Sequence, residues 1–266
     1  MSTPMRAEIW NGEVVVTRDS RHIYRVSDQN PIEKRQAFVP NVTKIIGMKD
    51  KSRGLMHWQM NMAIEAFRQT FTPGTTFKMT QAQMTKVENT LRNASDIVRD
   101  GAAAIGSMVH DYAERRLTGD PVDMPMEPSA KVACQAFEDW QRTTRIDAQF
   151  LERTLYSREH HIVGTGDFIG LIGNKMTVAD FKTGKNIYSE VFMQLECYRR
   201  MYEEEFGITV DQRAVIHFDK VTGAFEFVVL NENTRERDWE TFLALKQVYQ
   251  FDKDSYKELK QLREAA

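Results

Sequence analysis

A mixed sheet flanked by helices, an α/β or α+β architecture, is the fold class that this chain of 266 residues predicts. Three observations predict it. Residues 42–145 carry apolar side chains at helical spacing, broken by turn-forming clusters. From residue 150 the character changes to short apolar runs bounded by glycine, asparagine and charged turns, which read as strands. A helical segment, 189–206, then separates these strands from two further ones. At 41% hydrophobic residues, the chain can bury a full core as one large domain or one domain with an elaboration.

Taken in order, the chain opens with a hairpin. A-E-I-W and V-V-V-T flank Asn11-Gly12, a pair suited to the positive φ angles of a tight turn. Residues 22–26, beginning at His22, suggest a third strand. Val42, Ile45 and Ile46, then Leu55, Trp58, Met62 and Phe67, recur at helical spacing until Thr72-Pro73-Gly74 breaks the pattern. A polar helix follows over 81–99, then a separate one over 102–117 that ends at Gly119, and another over 129–145. Strands are expected at 150–157, 162–172 and 176–182, the last two joined at Gly173-Asn174. The helix 189–206 stops at Gly207, and strands 213–219 and 224–230 meet through Gly223. From residue 234 the chain is an amphipathic helix with Trp239, Phe242 and Leu245 on one face. The chain divides into a hairpin and helical elaboration, 1–100, and a core with C-terminal helices, 101–266.

Composition narrows the function classes. No run of about 18 apolar residues exists, so no membrane span is expected, and the segment M-S-T-P-M-R-A-E-I-W lacks the apolar stretch of a signal peptide. Two cysteines, Cys134 and Cys197, fit a reducing cytoplasmic compartment and are too few for a four-cysteine iron–sulfur cluster. The net charge of −2 gives no global basic footprint, so any nucleic acid is held by a local patch. Residues 1–53 are modestly basic, with ten Lys or Arg against six Asp or Glu. No G-x-x-x-x-G-K-[ST] loop, G-x-S-x-G elbow or C-x-x-C pair is present.

The chemistry-bearing stretch is 164–198. Asp180 and Lys182, two apart on a strand, share a face, with Phe181 turned to the opposite layer. Pairing through the Gly173-Asn174 turn brings Asp167 near Asp180, and two adjacent carboxylates repel unless a cation or proton lies between them. Such hard oxygen ligands suit Mg2+ or Mn2+. Beside the metal, a lysine can orient a water and neutralise charge at a phosphodiester. Gly164 and Gly166 fit a close backbone approach to the ligand. The same acid-x-Lys spacing at Glu258 and Lys260 lies in a charged helix and reads as a solvated face. On the helix over 102–117, His110 and Glu114 share a stripe with Gly106, and Gln194 and Tyr198 share another on the helix after the strands. His160 and His161, adjacent on an expected strand, point to opposite faces and do not readily share a metal.

Gly106-x-x-x-His110-x-x-x-Glu114, Gly164-x-x-Asp167, Asp180-x-Lys182 and Gln194-x-x-x-Tyr198 occur in that order over about residues 101–200. Together they resemble the PD-(D/E)XK nuclease superfamily, in its RecB-like exonuclease branch. The resemblance implies a restriction-endonuclease-like core with a helical N-terminal elaboration, and a divalent-metal-dependent DNA nuclease. It implies that His110, Asp167 and Asp180 hold the metal, with the Phe181 carbonyl as a further ligand. Lys182 would be the catalytic lysine, Glu114 a water-mediated or outer ligand, and Gln194 and Tyr198 would position the lysine or the DNA. Pro40-Asn-Val-Thr-Lys-Ile-Ile and Gly54-Leu-Met-His-Trp are similar to segments of phage-encoded exonucleases of this branch and of the mitochondrial genome-maintenance exonuclease. This segment is either part of a DNA passage or a structural N-terminal cap.

The function so implied is an exonuclease favouring single-stranded DNA or DNA ends, in recombination, repair or replication. It would act in the cytoplasm, that of the host if the chain is phage-encoded, with any helicase, single-strand-binding or recombination partner encoded elsewhere. Arg53, Trp58, Lys185, Arg199 and Arg200 are the candidate DNA contacts. A structure-selective endonuclease of the same fold, and a nucleic-acid-binding recombination partner without turnover, are the alternatives.

Overall fold

The computed structural model describes residues 5–21, 23–29 and 35–265. Four strands, β1 (Met5–Ile9), β2 (Val14–Arg18), β3 (Tyr24–Asp28) and β4 (Arg35–Val39), form an antiparallel sheet in that order. Helices α1 (Val42–Ile46), α2 (Ser52–Thr70), α3 (Gln81–Thr118) and α4 (Pro128–Thr143) follow. Then come β5 (Ile146–Ser157), β6 (Ile162–Ile172), β7 (Lys175–Lys182), α5 (Glu190–Phe206), β8 (Gln212–Phe218), β9 (Phe225–Val229) and α6 (Arg235–Ala265). The second sheet has the order β5-β6-β7-β8-β9, antiparallel except for the parallel pair β7–β8 that α5 connects. The expected mixed α/β architecture is thus observed.

Strand alternation sorts the core into two layers. Leu155, Ile169, Val178 and Val215 face α5 and α6, meeting Leu195, Met201, Tyr202, Trp239 and Phe242. Phe168, Ala179, Phe181, Ala214, Ile216 and Phe218 face α4, meeting Cys134, Phe137 and Trp140. All seven residues of β8 are buried, as befits a strand covered on both faces. The smaller sheet is stitched to the larger one. The Trp10 indole donates to the Tyr156 carbonyl at 3.1 Å, Arg158 pairs with Asp28 at 2.9 Å, and the Val163 amide donates to the Pro40 carbonyl at 3.2 Å.

Several expectations are corrected. The polar helix and the His110 helix are one 38-residue α3, opened by a Thr80–Gln83 capping box and closed at Gly119 in the left-handed conformation. Gly101 is not among the positive-φ residues; a lone helical glycine costs about 1 kcal/mol relative to alanine, which a long capped helix tolerates. A division at residue 100 therefore falls inside a helix. Conversely, the helical pattern after Val42 splits into α1 and α2 between Gly47 and Lys51. In α2 no residue is buried, and Leu55 and Phe67 are about half exposed, so helical spacing there marks a helix and not a core stripe. The third strand begins at Tyr24, with His22 outside the described residues, and β4 was not anticipated. His160 and His161 lie in the β5–β6 turn and not on a strand, with His161 at φ 49°. Among the described residues, no helix is long and apolar enough to cross a membrane.

Candidate metal and phosphodiester site

The register of the β6–β7 hairpin positions the two aspartates. Phe168 pairs with Ala179, and one step further along the same register sets Asp167 opposite Asp180. The sheet interior lies to one side, so both carboxylates point into the layer beneath α5. Asp180 is buried, and its two oxygens are used differently. Oδ1 accepts from Gln194 Nε2 at 2.8 Å, while Oδ2 forms a close ion pair with Lys182 Nζ. Gln194 Nε2 also lies 3.3 Å from the Tyr198 hydroxyl. The Phe181 amide donates to Asp167 Oδ2 at 2.9 Å.

Two motif glycines acquire a physical reason here. A Cβ on Gly164 would stand 2.5 Å from the Tyr198 ring, so the glycine makes room for a side chain of α5 and not, as expected, for a ligand. A Cβ on Gly106 would meet Thr183 Oγ1 at 3.2 Å, which is how α3 comes close enough to the end of β7 to deliver His110. His110 Nε2 lies 3.1 Å from the Phe181 carbonyl, and its Nδ1 lies 3.7 Å from Asp167 Oδ2 and 4.0 Å from Glu152 Oε1. Since a carbonyl only accepts, Nε2–H is the donor in that contact. The Phe181 carbonyl thus holds the imidazole through one of its two lone pairs.

Glu152 is the site residue that sequence reasoning missed. On β5, Leu151 pairs with Phe168 and Arg153 with Gly166, so Glu152 falls opposite Asp167. Like charges directly opposite on a sheet are destabilising. Glu152 also has φ 46°, a left-handed backbone inside a strand, which is costly for a side chain of this kind. Counting back from the β5–β6 turn would have found the pairing; the strained φ has no signal in L-E-R-T.

The electrostatics are unbalanced. Burial pushes the Asp167 carboxyl well above the usual range, Asp180 pushes it the same way, and His110 opposes them. Burial would lower the His110 imidazole, but Glu152, Asp167 and Asp180 outweigh it and hold it above its usual value. Burial likewise works against the Lys182 ammonium, and Asp180 outweighs it, keeping the lysine charged. Burial first, then Glu152, raises the Glu114 carboxyl, which lines an open groove with Gly106, Ser107, His110, Asp111 and Glu152. Four carboxylates, Glu114, Glu152, Asp167 and Asp180, therefore meet one lysine and one histidine.

The donor set fits a hard divalent cation. Ligand atoms of His110, Glu152 and Asp167 all lie within 4.8 Å of one another. Two ligands about 2.1 Å from an octahedral ion are about 3 Å apart when adjacent and about 4.2 Å apart when opposed, which brackets the His110 spacings above.

The remaining sequence candidates are placed elsewhere. Arg53 and Lys185 are exposed, without an ion pair among the described residues, and Trp58 is half-buried on α2. Arg199 is buried against Glu196 at 2.6 Å and pairs with Glu203, so it is internal architecture and not a DNA contact. Arg200 pairs with Glu196 and Glu236, each at 2.8 Å, and lies over the Trp239 ring, a role that likewise occupies it. In the Pro40 segment, Asn41 caps α1 by accepting from the Lys44 amide at 2.6 Å, and Asn41 bridges to Val163, as the structural-cap alternative requires.

No protein-family profile matches this chain, and no curated protein matches it. A solved structure described as the crystal structure of SSO0001 aligns with 14% identity over 72% of this chain and 86% of that one, at a TM-score of 0.30. A likeness of that size carries no argument about fold or function.

Proposed function

We propose that this chain is a divalent-metal-dependent DNA exonuclease with a restriction-endonuclease-like core, favouring single strands or free ends. The observation that carries the reading is the convergence of Asp167, Asp180 and Lys182 with His110 beside Glu152 in one partly desolvated corner. The surplus of carboxylates at close range is stable in a folded protein when a cation shares it. Mg2+ or Mn2+ held by Asp167, Asp180 and His110, with Glu152 next to them, would supply Lewis acidity at a phosphate oxygen and a nucleophilic water.

The chain's own residues do the rest. Lys182, kept protonated by Asp180, places a fixed positive charge where the attacking water and the phosphoryl oxygens meet. Gln194, held by Tyr198, fixes the Asp180 carboxylate through Oδ1, and Lys182 closes on Oδ2, which leaves further lone pairs on the carboxylate for the cation. The Phe181 amide orients Asp167, and the Phe181 carbonyl orients His110 through Nε2–H. Taking up a cation at His110 displaces a proton, so binding weakens as the imidazole protonates.

The deciding experiment digests end-labelled linear single-stranded, linear duplex and closed circular DNA with Mg2+, Mn2+ or EDTA, beside Lys182→Ala. Metal-dependent loss of linear strands with circles spared is the expected result. Cut circles would replace the exonuclease by the endonuclease, and no cleavage in any lane would leave a binding protein.

A further inference from the structure

Beyond the active-site end of the larger sheet lies a cleft of about 530 Å3, between the smaller sheet, the β5–β6 turn and α6. Because β6 runs antiparallel to β7, its first residue, Ile162, lies past Lys182 at the end of β7. Five residues along β6 separate Asp167 from Ile162, about 17 Å at strand rise, or about five stacked nucleotides. The cleft volume is in the range of small-molecule sites.

Its chemistry is one-sided. Among the described residues, the lining includes Lys246 and Lys253 and no carboxylate, and of its two histidines His160 lies 3.5 Å from Glu159 just outside it. Among the described residues Lys253 has no ion pair, acting on Asp254 only at longer range, and Lys246 donates to the His160 carbonyl at 2.6 Å. Elsewhere on this protein lysines near acids take them up, as Lys49 and Lys51 do with Glu190 at 3.4 and 2.9 Å. Burial lowers the Lys246 ammonium, with the Cys197 thiol opposing it, a cost that an anion in the cleft would offset. Phe38 stands at the rim, 62% exposed, with the Arg25 guanidinium 4.8 Å from its ring centre. An exposed aromatic ring beside lysines is the pairing that holds a base and its phosphate.

We propose that this cleft holds one nucleotide of a single strand whose scissile phosphate lies at Asp180 and Lys182, with the base against Phe38 and the phosphate between Lys246 and Lys253. This rests on the nuclease reading. It adds a second anchor several nucleotides from the chemistry, so strand length sets affinity.

The test measures anisotropy of labelled single-stranded oligonucleotides of three and twelve nucleotides, with Ca2+ replacing Mg2+, for the native chain, Lys246→Gln/Lys253→Gln and Phe38→Ala. The double variant should bind the twelve-mer about tenfold more weakly, with a salt slope shallower by about 0.7 for the one phosphate given up. Phe38→Ala should weaken it by a similar factor through lost stacking. Neither should change binding of the three-mer, nor Mn2+-dependent hydrolysis of bis(p-nitrophenyl) phosphate, which needs only the metal site. Unchanged twelve-mer binding, or equal loss for both lengths, overturns the proposal. Lys253→Gln alone, at a half-exposed position, serves if the double variant is misfolded by circular dichroism. Native chain that binds the twelve-mer but leaves the small diester intact overturns the nuclease reading, not the cleft.

Discussion

Two charged clusters lie on opposite sides of the same helix α5, and they are built on different accounts of charge. In one, Arg213 is fully buried between Glu196 at 3.2 Å and Asp238 at 3.0 Å, and Arg199 and Arg200 close on the same Glu196 at 2.6 and 2.8 Å. Each acid there faces a guanidinium. In the other, among the described residues, Asp167 and Asp180 with Glu152 and Glu114 face Lys182 and His110. A buried ion pair that is complete is architecture. A set whose inner carboxylates, Asp167 and Asp180, are withdrawn from water beside an exposed Glu152 carries surplus negative charge until something positive arrives, which is why the second cluster, and not the more extensive first, is the candidate for chemistry.

That contrast can be broken at several points. The largest effect is expected at Lys182→Ala, which should lower DNA cleavage by about a thousandfold or more while circular dichroism stays native; retained turnover would remove the lysine from the site. In the balanced cluster, Arg213→Ala leaves Glu196 and Asp238 short of a partner and should cost about 3–5 kcal/mol in urea denaturation. The metal dependence of whatever cleavage survives should not change. A variant as stable as the native chain would undo the distinction between the clusters.

Next in size is the response to metal. Mn2+ at a hundred times its Kd should stabilise the native chain by about 2.7 kcal/mol, and Glu152→Gln and Asp167→Asn should shrink that gain. An unchanged titration of Glu152→Gln by calorimetry would exclude Glu152 from the ligand set. A smaller effect concerns pH in metal-free protein. The Asp167 carboxyl is raised in the folded state, so the folded chain holds its proton more tightly than the unfolded chain. Its contribution to stability is therefore greatest below the ordinary carboxylate value of 3.8 and is lost as pH rises from there through the folded value. Asp167→Asn in EDTA should flatten that decline, and parallel melting curves against pH would refute the assignment. Last, Lys260→Ala, in the exposed acid-x-Lys copy on α6 where the lysine pairs with Glu264 at 3.7 Å, should change stability by less than about 0.5 kcal/mol and cleavage not at all.

The two acid-x-Lys triplets show how far spacing alone can be read. Around Asp180 the flanking V-A-D-F-K alternates apolar and polar, which places acid and lysine on one face of a buried strand; around Glu258 the same spacing sits on a charged helix. Alternation and turn chemistry are local, so the β6–β7 hairpin, α5 and the positions of Asp167, Asp180, Gln194 and Tyr198 are legible from the chain. Arg199 and Arg200 were not legible as ion pairs. Their partner Glu196 is three and four residues back on α5, a local signal, but Glu236 and the Arg213 link come from α6 and β8.

By itself the sequence determined the alternation of strands and helices, the two facing aspartates, the lysine beside them and the histidine helix. These depend on periods of 2 and 3.6 residues and on turns of a few residues. Only the tertiary structure decided that α3 runs unbroken from Gln81 to the site. It alone gave Glu152 a left-handed backbone, seated the Tyr198 ring against Gly164, and turned His110 Nε2 onto the Phe181 carbonyl. The last two contacts join segments tens of residues apart, and which faces meet is set by the packing of α3, α5 and the sheet as a whole, a property that no local stretch of chain carries.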